Sequence, residues 1–135
     1  MNRNRWSAVD AYFTEAIVGE DGARAAALAA NAAAGLPSID VSAPQGKLIH
    51  LLARMMGARK ALEIGALGGY STIWLARALP EDGRLITLEV NAKHAEVARS
   101  NVARARSLRS IGAQWRSARV RRPRARRPSM SLAMC

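Results

Sequence analysis

Thiols, aromatic rings and long apolar runs are all scarce in this sequence. The one cysteine, Cys135, is the last residue. A single thiol neither closes an internal disulfide nor builds a structural zinc site, so a reducing cytoplasm is the expected setting. Met1 to Trp6 is polar and basic with no apolar run of signal length behind it, so no secretory leader is expected. The Ala-rich stretch from Ala23 to Ala34 is broken by Arg24 and Asn31. It also falls well short of the roughly 20 apolar residues that span a bilayer. Acid is the last shortage: no Asp or Glu follows Glu96.

What is present suits one domain. The 135 residues are half hydrophobic, enough for one core and too few for two ordinary domains. The formal charge is +11, but it is unevenly spread. Residues 1–100 hold eleven Lys/Arg against all ten Asp/Glu, a net +1, whereas residues 101–135 hold ten Arg and no acid, a net +10. A nearly neutral body with one basic end reads as a folded unit carrying a solvated, disordered extension.

Periodicity and punctuation place the elements. Val9, Tyr12, Phe13, Ala16 and Ile17 fall on one face of a helix over Val9 to Val18, a face expected to be buried. Gly22 to Ala34 is a second helix, rich in Ala and stopped by Gly35 and Pro37. Leu36 to Ala43 reads as an extended loop. Pro44 opens a third helix, with Leu48, Leu51, Leu52 and Met55 as its apolar stripe and Gly57 at its end. Lys60 to Ile64 is a short buried strand, and Tyr70 to Leu79 an amphipathic helix. After the turn Pro80-Glu81-Asp82-Gly83, Arg84 to Glu89 is a second strand, and Ala92 to about Arg104 a further helix. Strand, glycine turn, helix, turn, strand, helix is a parallel βαβ crossover. It is the first half of a Rossmann-like, doubly wound α/β sheet preceded by helices. Residues 1–106 form this unit. Residues 107–135, rich in Arg and holding Pro123 and Pro128, are read as an irregular basic tail.

The chemistry is concentrated in Ala61-Leu62-Glu63-Ile64-Gly65-Ala66-Leu67-Gly68-Gly69-Tyr70-Ser71. A strand delivers Glu63 at its end, and Gly65 allows a sharp turn where a side chain would obstruct a ligand. Ser71 stands at the helix entrance, able to cap free N–H groups or reach a ligand carboxylate. The second strand ends in Glu89, where a carboxylate grips the ribose hydroxyls of nucleotide-like cofactors. Two acids and a glycine turn around one crevice suit adenosine joined to an amino-acid tail. They suit a dinucleotide less well, because the spacing from Gly65 is G-x-x-G-G and Glu63 would repel a pyrophosphate. His50 and His94 are read as neither ligand nor base. Met55, Met56 and Trp74 are read as core.

These residues carry a resemblance. Leu62-Glu63-Ile64-Gly65 with Gly69-Tyr70-Ser71, and Leu79-Pro80-Glu81-Asp82-Gly83-Arg84 running into Leu88-Glu89, closely resemble the signature of the caffeoyl-CoA and catechol O-methyltransferases. Val41-Ser42-Ala43-Pro44-Gln45-Gly46-Lys47-Leu48 is similar to that family's cofactor-facing loop, and the likeness covers about residues 38–105. It implies a metal-dependent, S-adenosyl-L-methionine-using O-methyltransferase of the Rossmann-like class, acting on a small catechol-like or acyl-CoA-linked molecule. Carried over, Val41 lies against the cofactor, Glu63 faces its amino group, and Gly65 and Ala66 give backbone contacts. Gly69 and Tyr70 belong to the same turn, Ser71 holds the carboxylate end, and Glu89 binds the ribose. A divalent metal, commonly magnesium, is expected of the family, and its members are often homodimers. The chain departs from the pattern at Asn91, where relatives often carry Asp. It departs further in having no acid beyond Glu96, so the hard-oxygen ligands of a metal site cannot come from the tail.

Two other functions compete. Ten arginines after residue 100 would bind phosphate in a salt-dependent way, but with Trp115 as the tail's only aromatic a specific nucleic-acid site is not expected. A nicotinamide oxidoreductase is disfavoured by Glu63 and the glycine spacing. The reading adopted is the cofactor-binding half of an O-methyltransferase, impaired or inactive as this chain. The abrupt loss of acids suggests that residues 107–135 are translated out of frame.

Overall fold

The computed structural model describes residues 3–107 and 114–119. Helix α1 (Arg3–Phe13) runs into a wide π-helical turn, Thr14–Val18. The Thr14 hydroxyl donates back to the Asp10 carbonyl at 2.6 Å, and the Gly19 N–H closes the wide turn on the Thr14 carbonyl at 3.2 Å. Helix α2 (Gly22–Ala33) is capped by Asp21, whose carboxylate accepts from the Arg24 N–H at 2.8 Å. Gly35, at φ +65, ends it.

Helix α3 (Ala43–Met55) starts with Pro in its first turn, and the Ser42 N–H donates to Gln45 Oε1 at 2.8 Å. Strand β1 (Lys60–Ile64), helix α4 (Tyr70–Ala78), strand β2 (Arg84–Glu89) and helix α5 (Ala92–Ser107) follow in the expected order. β1 and β2 are parallel neighbours, with Glu63 opposite Thr87.

Three expectations are corrected. Residues 107–135 were expected to be irregular, but Gln114–Arg119 form strand β3, parallel to β2 on the side away from β1. Parallel pairing along the β2 edge, from Arg84 opposite Gln114 to Glu89 opposite Arg119, gives this segment its place in the sheet. The rest of the tail lies outside the described residues. The second correction concerns β1, which is not a buried strand: Leu62 is 62% and Ile64 80% exposed, while Glu63 faces inward. Helices α4 and α5 pack on the Leu85 and Thr87 face of the sheet, and among the described residues nothing covers the Leu62, Ile64 and Ile86 face.

The third correction concerns apolar stripes. Val9, Tyr12, Phe13 and Ile17 are exposed, as are Leu48, Leu51, Leu52, Met55 and Met56. The first helix meets α3 chiefly through its π turn. The core lies instead between α2, α4, α5 and the inner sheet face, built from Ala27, Ile73, Ala76, Leu85, Val102 and Ala105. Trp74 belongs to this interior as expected, with the Arg24 guanidinium 3.9 Å over its ring. Among the described residues no helix is long and apolar enough to cross a membrane.

Candidate cofactor-binding site

Strand alternation decides where the two acids go. With Leu62 and Ile64 turned outward, Glu63 points to the inner face, and Glu89 reaches the same face two residues beyond Thr87. Gly65 carries the chain out of β1 at φ +87, its N–H still donating to the Leu88 carbonyl at 2.8 Å. Leu67 then takes φ +48, an uncommon conformation for a side-chain-bearing residue. The Gly69 N–H closes the turn on Ala66 O at 2.7 Å. Gly69 must be glycine: its φ is +85, and a Cβ there would press within 3.2 Å of the Ala98 backbone on α5.

The left-handed step at Leu67 aims two successive N–H groups at one point, the concavity that binds anions. Glu89 fills it: Oε2 accepts from the Ala66 N–H at 3.1 Å and the Leu67 N–H at 3.0 Å, while Oε1 accepts from the Asn91 N–H at 2.8 Å. Asn91 in turn caps α5, its Oδ1 accepting from the Lys93 N–H at 2.9 Å. The departure noted at Asn91 therefore keeps a helix-capping side chain.

Glu63 is held by hydroxyls. Ser71 Oγ donates to Oε1 at 2.6 Å, and Thr72 Oγ1 and Thr87 Oγ1 donate to Oε2 at 2.6 and 2.9 Å. Both carboxylates are buried, at 8% and 7% exposure, and these donors are neutral. On each, one oxygen takes two of these hydrogen bonds and the other takes one, leaving capacity for a further donor. Such a pair favours a ligand that brings positive charge and hydroxyls.

Of the residues singled out from sequence, Glu63 and Ser71 touch, and Glu89 touches Ala66. Gly65, Gly69 and Tyr70 form the turn and the first residue of α4, with Tyr70 buried. Val41 is half-buried just ahead of α3. Ser71 does not cap its helix in this structure, because its hydroxyl serves Glu63.

Thr72, Thr87 and Asn91 were missed as partners of the acids. The register Glu63 opposite Thr87 was the available signal for one of them. His94, read as neither ligand nor base, is half-buried at the site's edge, with Nδ1 4.0 Å from Glu89 Oε1. His50 lies away from the acids, its Nδ1–H directed at the Trp74 carbonyl at 3.2 Å, and burial pushes its pKa below the ordinary range. Among the described residues no group of three or more His, Cys, Asp or Glu gathers to hold a metal ion, so the residues present do not fit one.

Parallel β1 and β2, the glycine turn between β1 and α4, and acids at both strand ends define a Rossmann-like α/β domain. The O-methyltransferase family model matches residues 23–120, and the chain belongs to that family. A catechol O-methyltransferase of Mycobacterium tuberculosis is 60% identical over 97 residues, which are 72% of this chain and 44% of the relative. Among solved structures, the O-methyltransferase TomG of Streptomyces achromogenes, in complex with SAM, superposes with a TM-score of 0.75 at 49% identity. That match covers 88% of this chain and 52% of TomG. The O-methyltransferase of Bacillus cereus, in complex with SAH, gives 0.76 at 49% identity, covering 84% and 51%. The chain thus spans about half the length of the relatives it matches.

Proposed function

We propose that this chain binds S-adenosyl-L-methionine and forms the cofactor half of an O-methyltransferase for a small hydroxylated molecule, catechol-like or acyl-CoA-linked. The observation that carries this reading is the pair of buried carboxylates, held by neutral donors, on either side of one glycine turn. Glu63 offers its spare acceptor to the cofactor's ammonium. Glu89 offers its own to a ribose hydroxyl while fixing the turn through the Ala66 and Leu67 amides. Gly65 and Ala66 present backbone. Gly69 and Tyr70 open α4 without a side-chain cap, so its first N–H groups receive a carboxylate, and the Ser71 hydroxyl, whose one proton goes to Glu63 here, joins them by turning from Glu63 to the ligand. Val41 lies against the cofactor. When bound, the cofactor supplies a methyl group on a positively charged sulfur, and this chain's residues orient it.

Calorimetry with S-adenosylhomocysteine and, separately, NAD tests the reading. The first should bind and the second should not. Glu89→Ala should weaken binding by about 1–3 kcal/mol, the range for losing a hydrogen bond to a charged group. Unchanged affinity in that variant removes Glu89 from the site, and preferential NAD binding removes the methyltransferase reading.

A further inference from the structure

Behind the glycine turn lies a chain of carboxamides that the cofactor reading does not use. Asn101 on α5 and Asn31 on α2 are 2% and 3% exposed. Asn101 Nδ2 donates to the Gly68 carbonyl at 2.8 Å and to Asn31 Oδ1 at 3.1 Å, with the Ala27 carbonyl at 3.4 Å. Three oxygens around one nitrogen fix the orientation of this amide, because the reverse orientation would set oxygen against oxygen. Asn31 spends its own Nδ2 on Asp40 Oδ1 at 3.0 Å. Its carboxamide also packs so closely on Gly68 that a Cβ at that position would overlap it.

The series Asp40, Asn31, Asn101, Gly68 joins two segments far apart in sequence. One is the loop bearing Val41, immediately after Asp40. The other is the glycine turn. Buried polar groups of this kind are costly unless they find partners, and here the two amide nitrogens find theirs in both segments, while Asn101 Oδ1 is buried without a hydrogen-bond partner. We propose that Asn31 and Asn101, anchored on Asp40, are positioning residues that set the spacing between the Val41 loop and the glycine turn, and so the width of the cofactor crevice. The inference rests on the cofactor reading for its functional meaning and on hydrogen bonding alone for its structural content.

Two measurements on the full chain separate these levels. The first is amide hydrogen exchange without ligand. Asp40→Ala should speed exchange of the Gly69 amide, which donates to Ala66 O, although the side-chain hydrogen bond of Asp40 goes to Asn31 and not to that turn. Asp40→Asn keeps an acceptor for Asn31 and should leave Gly69 protected. An effect of Asp40→Ala confined to residues 36–42 would overturn the relay.

The second measurement is S-adenosylhomocysteine affinity beside thermal stability. Asn101→Ala and Asp40→Ala should weaken binding by about tenfold or more, the change that about 1.4 kcal/mol of lost site order produces in an equilibrium constant. Asp40→Asn should bind as the unaltered chain does. Val102→Ala, one position from Asn101 in the buried core, should lower Tm with little change in affinity. Equal loss of affinity in Val102→Ala and Asn101→Ala means a merely structural role and refutes the proposal. If Asn101→Ala does not fold, the two Asp40 variants decide. If the unaltered chain fails to bind S-adenosylhomocysteine, the cofactor reading falls, and the exchange pattern still decides the relay.

Discussion

Glu63 shows how a single side chain holds several elements together. Its carboxylate gathers hydroxyls from two residues of α4 and one of β2, and both threonines are fully buried. Glu63→Ala would take from the buried Thr72 hydroxyl the carboxylate it donates to, at about 1–3 kcal/mol for a buried group left unpaired. Urea unfolding should show a loss in that range or above, and a loss under about 0.5 kcal/mol would mean that water replaces the carboxylate.

Two other acids respond to pH in opposite senses. Burial raises the carboxyl of Asp40 above its ordinary 3.8, only partly offset by the hydrogen bond from Asn31. Its contribution to stability is therefore present below pH 3.8 and lost as pH rises through the raised value. At neutral pH the buried charge is a burden, so Asp40→Asn should raise Tm at pH 7, with the gain shrinking as pH falls toward 4. Burial would raise Asp21 too, but the Arg77 and Arg24 contacts outweigh it and hold that carboxyl below 3.8. Its contribution is present above pH 3.8 and lost as pH falls through the lowered value, so Asp21→Asn should lower Tm at pH 7 and flatten the acid limb of the profile.

At the scale of elements, the two faces of the sheet make a quantitative contrast. Leu85 is fully buried in the core, while Ile64 on the opposite face is 80% exposed. Leu85→Ala should cost about 2–5 kcal/mol, the range for emptying a packed core position. Ile64→Ala should stay within about 0.5 kcal/mol in this chain, as for surface substitutions. Comparable losses in denaturant unfolding would show that something covers the Ile64 face in solution.

The same contrast explains what was legible in the sequence. The order of α3, β1, α4, β2 and α5 follows from apolar periodicity and from Pro44, Gly57, Gly65 and the Pro80–Gly83 turn, all of which act locally. The glycine turn and its two acids were legible for the same reason. Which face is buried was not, because that depends on what packs against it. Leu48, Leu51 and Met55 keep helical spacing whether or not a neighbour arrives, and β3 is held by backbone pairing that its Arg-rich composition does not advertise. The Asp40–Asn31–Asn101 series joins residues up to 70 positions apart, beyond the reach of any short motif.

At the scale of the whole molecule, the proposed cofactor binding and the transfer reaction can be tested separately. The chain spans about half of its relatives, and its acids end at Glu96. The family match runs to residue 120 and β3 is part of the sheet, so a boundary at residue 107 does not divide family-like from foreign sequence. We propose that any change of reading frame lies beyond that point. Gene sequencing downstream of codon 104 tests this, since methyltransferase strands should then be encoded in another phase.

Methyl transfer needs an acceptor oxygen held in line with the methyl group, and orientation of that kind accounts for much of the barrier lowering. Glu89 is engaged by the amides of the glycine turn and Glu63 by the hydroxyls of Ser71, Thr72 and Thr87, and no metal cluster forms among the described residues. We therefore expect this chain to bind S-adenosylhomocysteine while transferring little or no methyl to catechol or caffeoyl thioesters, even with added magnesium. The check is a labelled-methyl assay run beside the calorimetry on the same preparation. Turnover on the order of 1 per second or faster, the range of working enzymes, would show that residues of this chain hold the acceptor after all. In that case His94, half-buried at 4.0 Å from Glu89, is the first side chain to replace.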